Sequence, residues 1–170
     1  MIKLVKAGPQ DAVELARARQ TAWKQTYRGI YPDEMLDQYD MDYYAARDRG
    51  RMGEAGQHYY LFMDGNVCAG YFSFGPTHYQ RHKDFELYIN NLYILEPYKG
   101  QGLGRRAFLE IREYCKIAGF EKFCCGCNAH NAPAMAFYRH MGGVQAYAPE
   151  YHPNKADDIV HFEFYLGESV

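Results

Sequence analysis

The sequence has little of what marks several large classes of protein. Its 19 lysines and arginines are matched by 21 aspartates and glutamates, so the concentrated positive charge that nucleic acid binding needs is lacking. No apolar run reaches the length of a membrane-spanning helix. The opening residues, Met1 to Lys6, lack the apolar core of a signal peptide. We therefore expect a cytoplasmic protein that has neither nucleic acid nor a membrane as its partner.

Disulfide pairing is also not indicated. The sequence has five cysteines, an odd number without the spacing of a disulfide framework, which is typical of a reducing compartment. Three of them, Cys124, Cys125 and Cys127, stand close together. A tetrahedral zinc site would need a second pair of ligands, and only His130 is near. The cluster is therefore interpreted as buried strand residues, and no metal is expected.

The chain is long enough for one hydrophobic core. Its 170 residues contain no linker-like segment, so 1–170 are predicted to form a single domain. Periodicity predicts the order strand, two helical regions, three strands, helix, strand, helix and two strands, with the second helical region broken near Asp40. The turn at Asp64 and Gly65, between two apolar runs, predicts a hairpin. The final strand, Asp158 to Leu166, would suit pairing in a homodimer if its edge were exposed.

The segment Tyr98 to Arg106 carries the clearest chemical signal. Glycine stands at every second position from Gly100 to Gly104, which lets the backbone turn tightly and brings N–H groups close to a ligand. A strand-like run precedes the segment and a helical pattern begins within it, so the positive end of a helix dipole lies at the glycines. The pattern predicts a phosphate or pyrophosphate site.

Two common phosphate motifs fit this segment poorly. A Walker loop needs Lys followed by Ser or Thr, and neither residue is present. The dinucleotide fingerprint Gly-x-Gly-x-x-Ala is matched by Gly102, Gly104 and Ala107. However, the acidic ribose ligand is missing from the next strand, and the chain ends in antiparallel-looking strands. A nicotinamide oxidoreductase is thus a distant alternative.

A third interpretation covers nearly the whole chain. The residues Leu92-Tyr93-Ile94, followed by Pro97 to Gly104, resemble the acetyl-coenzyme A motif of the GNAT superfamily of N-acetyltransferases, with Lys99 where Gln or Arg is usual. Downstream, Asn131-x-x-Ala134-x-x-Phe137-Tyr138-x-x-x-Gly142 is similar to the family helix that lines the pantetheine arm and carries the catalytic tyrosine. The segment from Trp23 to Asp33 also resembles the opening helices of many bacterial members.

The resemblance implies both a fold and a reaction. The fold would be a mixed, mostly antiparallel sheet of about six to seven strands, flanked by about four helices, with two strands splayed at the cofactor site. The reaction would transfer acetyl from acetyl-coenzyme A to a primary amine by direct attack within a ternary complex. The implied cofactor-binding residues are Leu92, Tyr93, Ile94, Lys99, Gly100, Gln101, Gly102, Leu103, Gly104, Arg105 and Asn131.

Tyr138 is the implied catalytic acid. A phenol with a pKa of about 10 stays protonated at neutral pH and can return a proton to the leaving thiolate. Helical spacing alone would make Tyr138 a core aromatic, because it shares a face with Ala134 and Met141. A backbone N–H near Tyr93 or Ile94 would hold the oxyanion.

The general base is left open by the sequence. Many family members carry a glutamate at the position that is Tyr88 here, and Glu86 lies two residues earlier on the same strand face, so Glu86 is the candidate base. Water ordered by Asn90 and Asn91 is an alternative, as are His130 and His140.

The sequence also leaves open which amine is the acceptor and whether the protein catalyses a reaction at all. The acidic, tyrosine-rich stretch from Tyr27 to Asp48 can form a pocket for a cationic amine or an ordinary solvated helix face. Because Tyr88 and Lys99 depart from the family pattern, a coenzyme A binding or sensor module without turnover is the alternative function.

Overall fold

Seven strands form one sheet in the order β1-β2-β3-β4-β5-β7-β6. The computed structural model describes residues 1–77 and 82–167. The strands are β1 (Lys3–Lys6), β2 (His58–Asp64), β3 (Val67–Gly75), β4 (Leu87–Ile94), β5 (Lys122–Asn128), β6 (Val144–Gln145) and β7 (Ile159–Tyr165). All neighbours pair antiparallel except β4 and β5, which are parallel. The predicted mixed, mostly antiparallel sheet is confirmed, and so is the hairpin at Gly65.

Five α-helices flank the sheet: α1 (Ala12–Tyr27), α2 (Asp33–Asp37), α3 (Met41–Met52), α4 (Leu103–Ala118) and α5 (Ala132–His140). Phe108 and Ile111 of α4 pack with Tyr138 of α5 in the main core on one face of the sheet. On the other face, Leu15 and Ala18 of α1 pack against β2 and β3. Both faces of the sheet are therefore covered by helices.

The predicted helix ends are largely confirmed. Asp40 caps α3, since its carboxylate accepts a hydrogen bond from Tyr43 N at 2.9 Å, and this cap separates α2 from α3. Gly119 ends α4 with a φ of 74°, the left-handed conformation that glycine adopts readily. Asn131 caps α5 by accepting a bond from Ala134 N at 3.2 Å.

The C-terminal part differs from the prediction. A strand was expected from Val144 to Tyr151, but β6 ends at Gln145, because Pro149 and Pro153 cannot donate backbone hydrogen bonds to a ladder. The last strand is not the edge of the sheet, since Phe162 and Glu163 of β7 pair with β6. The loop predicted from Gly75 to Asp84 lies in part outside the described residues, at 78–81.

The helices of the described residues are too short to span a bilayer. The longest, α1 and α4, have 16 residues each, whereas a membrane-spanning helix needs about 20 mostly apolar residues. Accordingly, no helix among residues 1–77 and 82–167 is a candidate membrane span.

Candidate active site

The site begins where two parallel strands separate. β4 and β5 pair only from Leu87 with Phe123 to Ile89 with Cys125, although both strands continue beyond these residues. The register of β4 against β3 shifts at the same place, because Asn91 pairs with Ser73 while Ile89 pairs with Phe74. Asn90 is therefore the extra residue of a β-bulge, which bends the strand. The strand splay predicted at the cofactor site is present.

A cavity of about 430 Å³ opens between the separated strands. Its walls come from the end of α1, from β4, from the glycine loop, from β5 and from α5. All the predicted site residues line it except Gln101 and Glu86: Leu92, Tyr93, Ile94, Lys99, Gly100, Gly102, Leu103, Gly104, Arg105, Asn131 and Tyr138. Residues that lie far apart in the sequence are thus brought to one place.

The glycine loop presents the start of a helix to this cavity. Gly100 and Gly102 have φ values of 75° and 77°, which residues with a Cβ rarely adopt. Gly102 caps α4, and the first bond of the helical pattern runs from Arg106 N to Gly102 O at 3.0 Å. The N–H groups of residues 103–105 precede that bond and have no acceptor within the helix. Together with the helix dipole they form a site for an anion.

The charged side chains around the loop have different surroundings. Lys99 lines the cavity, but its Nζ lies 2.5 Å from Glu96 Oε2. Arg105 also lines the cavity and is exposed. Arg106 donates instead to the carbonyl of Ile2 at 2.8 Å, away from the lining. Gln101 donates to Pro97 O at 3.2 Å, which closes the loop on itself. Of the two arginines, therefore, Arg105 can offer its charge to an anion.

Tyr138 is the buried phenol of the cavity. It is 6 % exposed and lies near the thiols of Cys125 and Cys127. Burial raises the pKa of Tyr138 well above its ordinary value of about 10, and the two neighbouring thiols act in the same direction. The phenol therefore stays protonated at neutral pH, as a proton donor must.

The structure does not bring Glu86 to the cavity. Glu86 is exposed and precedes β4, at the end of the strand where β4 and β5 are still paired. Tyr88, which shares its strand face, packs with Phe85 and Cys124 in a separate cluster. Of the other candidates for the base, Asn90, Asn91 and His140 line the cavity.

His130, the remaining candidate, is engaged elsewhere. Its Nε2 lies 2.6 Å from a carboxylate oxygen of Asp158, and it is not among the lining residues. The same carboxylate accepts a hydrogen bond from His152 N at 2.6 Å. The pair thus ties the segment before β7 to the loop that precedes α5.

The acidic, tyrosine-rich stretch is largely separate from the cavity. Only Tyr27 of the predicted pocket lines it. Five of the others line a second groove, of about 600 Å³, between α2 and α3: Glu34, Tyr39, Asp40, Tyr43 and Tyr44. Arg28 makes salt bridges to Asp33, at 2.8 Å, and to Asp37, so much of the acidic charge is already paired.

The cysteine cluster is divided between two faces of β5. Cys125 and Cys127 pack in the main core, whereas Cys124 joins Phe85 and Tyr88 on the opposite face, as the alternation of a strand requires. Three thiols therefore do not converge. Within the described parts of the chain, no three His, Cys, Asp or Glu residues are placed to hold a metal ion.

Two lining residues from β5 had no predicted role at the site. Cys127 was interpreted as a buried strand residue, and it lines the cavity together with Gly126. A Cβ on Gly126 would lie 2.6 Å from Tyr88 Oη. In the sequence, these two residues stand near the end of the strand that follows α4. This position indicates a place at the site only when β5 is known to separate from β4.

Several solved structures share the fold of this chain. The PaiA N-acetyltransferase of Thermoplasma acidophilum, in complex with coenzyme A, has a TM-score of 0.72 and 17% identity, over 97% of this chain and 99% of that one. YncA of Salmonella typhimurium, with its cofactor acetyl-CoA, has a TM-score of 0.73 and 19% identity, over 100% and 96%. A GNAT acetyltransferase of Staphylococcus aureus has a TM-score of 0.72 and 12% identity, over 98% and 99%. At these identities the likeness shows the fold.

The sequence itself gives the family. Comparison with curated proteins finds no match. The family profile described as acetyltransferase (GNAT) family matches residues 16–142, a span that includes most of α1, the glycine loop and α5. Since this match covers most of the chain, the protein belongs to the acetyltransferase (GNAT) family.

Proposed function

We propose that the protein transfers an acetyl group from acetyl-coenzyme A to a primary amine. The observation that carries the proposal is one cavity that holds the helix start of α4, the opening between β4 and β5, and the Tyr138 phenol. Family membership supports acetyl transfer, and two proteins of the same fold are described with coenzyme A or acetyl-CoA. The amine is our extension of these observations.

The cavity fits the parts of acetyl-coenzyme A. Its pyrophosphate would bind the N–H groups at the start of α4, with Arg105 adding charge. Beyond Ile89, the edge of β4 that faces β5 has no strand partner, so its N–H and C=O groups are available to an extended chain that carries amides. The thioester would then lie between the strands, on the side of Tyr138.

At neutral pH the amine enters as an ammonium ion, so it gives one proton to water before its neutral nitrogen can attack; a second proton then leaves the nitrogen, and one proton is supplied to the sulfur. The amine nitrogen attacks the thioester carbonyl carbon, the C–N bond forms, and the C–S bond breaks as the oxyanion collapses. The Tyr138 hydroxyl gives its proton to the leaving sulfur. After attack the nitrogen loses a proton to water, and a proton from water returns the Tyr138 phenolate to its neutral form. The bulge at Asn90 frees backbone groups of β4 beside the reacting carbon, where a donor would stabilise the oxyanion.

Water held by two carboxamides is our assignment for the acceptor of the amine proton. Asn91 Nδ2 donates to Ser73 Oγ at 2.7 Å, and Asn90 Nδ2 donates to Gln57 Oε1 at 3.3 Å. Both side chains are thereby oriented, and their amide oxygens can accept a hydrogen bond from water. This route uses no carboxylate, which agrees with the position of Glu86 outside the cavity.

Thiol release from acetyl-coenzyme A, measured with a panel of amines, tests the proposal. We expect amine-dependent release by the wild-type protein. Tyr138→Phe should lower kcat by about 100- to 1000-fold, the usual scale for a general acid, while the acetyl-CoA Kd stays the same. Tyr165→Phe is the matched control, because that phenol is 55 % exposed in β7.

Two outcomes would overturn the proposal. Full turnover by Tyr138→Phe would remove the phenol from the mechanism. Acetyl-CoA binding without release above background for any amine would instead favour the sensor module.

A further inference from the structure

One part of the lining, at the end of α1 and the bulge of β4, is formed by uncharged groups. Thr26 and Tyr27 come from α1, Asn90 and Asn91 from β4, and Cys127 from β5. In the stretches that the structure describes, no aspartate or glutamate lines the cavity. A substrate with several positive charges would therefore find no carboxylate at this end.

Two phenols form the wall of this end. The hydroxyls of Tyr27 and Tyr93 lie 2.9 Å apart, and their rings meet edge to face at 6.3 Å. Tyr31 stacks on Tyr27 at 4.2 Å. Trp23 packs edge-on against both rings, with centroid distances of 6.3 Å to Tyr27 and 6.1 Å to Tyr31. The pair is thus held in place by aromatic packing on α1 and β4.

Both hydroxyls keep their protons at physiological pH. Burial is the main cause that raises the pKa of Tyr27 and of Tyr93. The neighbouring Tyr93 raises the pKa of Tyr27 further, whereas the hydrogen bond with Tyr27 acts to lower that of Tyr93. One hydroxyl of the pair donates to the other, which leaves lone pairs free to accept a hydrogen bond from an amine. The tyrosine rings also attract a cationic nitrogen placed over them.

Four acidic side chains of the stretch from Tyr27 to Asp48 are engaged within the protein. Asp33 and Asp37 pair with Arg28, Asp48 pairs with the buried Arg19, and Asp40 caps α3. These four carboxylates therefore serve the packing of the helices, and Glu34 lines the second groove, away from the cavity. The wall formed by Tyr27 and Tyr93 offers hydrogen-bond acceptors and aromatic surface.

We propose that the Tyr27–Tyr93 hydroxyl pair binds the acceptor amine, and that the acceptor carries this amine on an uncharged aromatic or aliphatic body. The inference rests on the acetyl transfer proposed above. It names Tyr27 and Tyr93 as the residues that determine specificity.

Steady-state kinetics with two probes test the pair. Wild-type kcat/KM should be at least about ten-fold higher for phenethylamine than for spermidine. Tyr27→Phe and Tyr93→Phe should each raise the phenethylamine KM about ten-fold, the scale of a lost hydrogen bond to a charged group, with a smaller change in kcat. The acetyl-CoA Kd should stay close to wild type, because the cofactor would meet β4 through backbone groups and not through the Tyr93 hydroxyl, and the Tm should also stay close to wild type. Tyr43→Phe is the matched control, since this phenol lies in the second groove and is 58 % exposed.

The outcomes separate this inference from the proposed function. A preference for spermidine, or an equal KM increase in Tyr43→Phe, would point to the second groove as the acceptor site and overturn the inference. Unchanged KM values in Tyr27→Phe and Tyr93→Phe, with normal wild-type turnover, would overturn it while leaving acetyl transfer intact. Absence of thiol release with every amine would contradict the proposed function itself.

Discussion

A Cβ atom on Gly104 would lie 2.9 Å from Phe137 Cζ. Gly104 belongs to the first turn of α4, and Phe137 precedes Tyr138 in α5. This close contact fixes the distance between the anion-binding end of one helix and the phenol of the other. The Phe137 ring also packs edge-on against Phe108, with centroids 5.5 Å apart, so its freedom to move away is limited.

We therefore expect Gly104→Ala to weaken acetyl-CoA binding. The new methyl group pushes the Phe137 ring toward the cavity or tilts the start of α4, and overpacking of this kind costs about 1–3 kcal/mol. Calorimetric titration should show a Kd about ten-fold higher than wild type, because displacement occurs where the cofactor would bind.

Gly50→Ala provides the control for this effect. Gly50 lies in α3, and nothing lies within 4 Å of a Cβ placed on it. The substitution should stabilise the helix by about 0.5–1 kcal/mol and leave cofactor binding unchanged. Wild-type affinity in Gly104→Ala would contradict the proposed role of the contact, whereas restored binding in Gly104→Ala combined with Phe137→Leu would support it.

The buried ion pair of Arg19 and Asp48 joins α1 to α3. Both side chains are 1 % exposed, and Arg47 also reaches the carboxylate, at 3.2 Å. Asp48→Ala leaves a buried guanidinium uncompensated, which should lower the free energy of unfolding by about 3–5 kcal/mol. Urea denaturation measures this loss.

Replacement of both partners should be far less harmful. The double variant Arg19→Met, Asp48→Leu removes both buried charges and keeps apolar volume, so its unfolding free energy should lie within about 2 kcal/mol of wild type. A loss as large as that of Asp48→Ala would mean that the position is sensitive to packing and that the charge is not the cause.

Most of the fold follows from local patterns. The face of α4 that periodicity predicts, including Ala107, Phe108 and Ile111, is fully buried, because an amphipathic helix can bury only one stripe. The glycine loop was equally accessible to prediction, since its φ angles and its helix start depend on consecutive residues.

Contacts between segments that are distant in the sequence could not be predicted from local patterns. The alternation of a strand places Glu86 and Tyr88 on one face. The bulge at Asn90 interrupts this alternation, so the residues of β4 that line the cavity cannot be assigned to a face by counting from Glu86. The Tyr27–Tyr93 contact joins residues 66 positions apart, and only the packing of α1 on β4 creates it. A motif thus predicted the glycine loop, while the pairing of Tyr27 with Tyr93 depends on tertiary packing.

The Asp158 carboxylate should hold the segment before β7 in place. It is 1 % exposed and lies close to His130 and His152. Asp158→Ala should speed amide hydrogen exchange at His152 and through residues 146–157, because the His152 N–H loses its acceptor. Asp157→Ala removes a neighbouring carboxylate that does not contact these histidines, and it should leave exchange unchanged. Equal protection in both variants would contradict this role.

The pH at which this carboxylate matters follows from its pKa. The hydrogen bond from His130 is the main cause that lowers the pKa of Asp158 below its ordinary value. A group with a depressed folded pKa stabilises the protein above the unfolded pKa, and the contribution is lost as pH falls through the folded value. The protection of the His152 amide, expressed relative to its intrinsic exchange rate at each pH, should therefore be constant above the ordinary aspartate pKa of about 3.9 and fall below it.

Buried thiols should make the protein unstable in alkali. Burial raises the pKa of Cys68 and Cys115 to about 11, and that of Cys124 and Cys127 to about 12, from 9.0. Above the unfolded pKa, the unfolded chain releases protons that the folded chain retains, so stability is full below that pH and falls as pH rises toward the folded values. Each thiol contributes a slope of at most about 1.4 kcal/mol per pH unit.

Denaturation under reducing conditions, from about pH 8 to about pH 10, measures this slope. Cys124→Ala removes one titrating thiol that is 0 % exposed, so its stability should fall less steeply than that of the wild type, by up to about 1.4 kcal/mol per pH unit. Val67→Ala is the control, because Val67 is 56 % exposed and carries no titrating group, and its slope should equal the wild-type slope. Identical slopes in Cys124→Ala and wild type would show that this thiol ionises as easily in the folded chain as in the unfolded one.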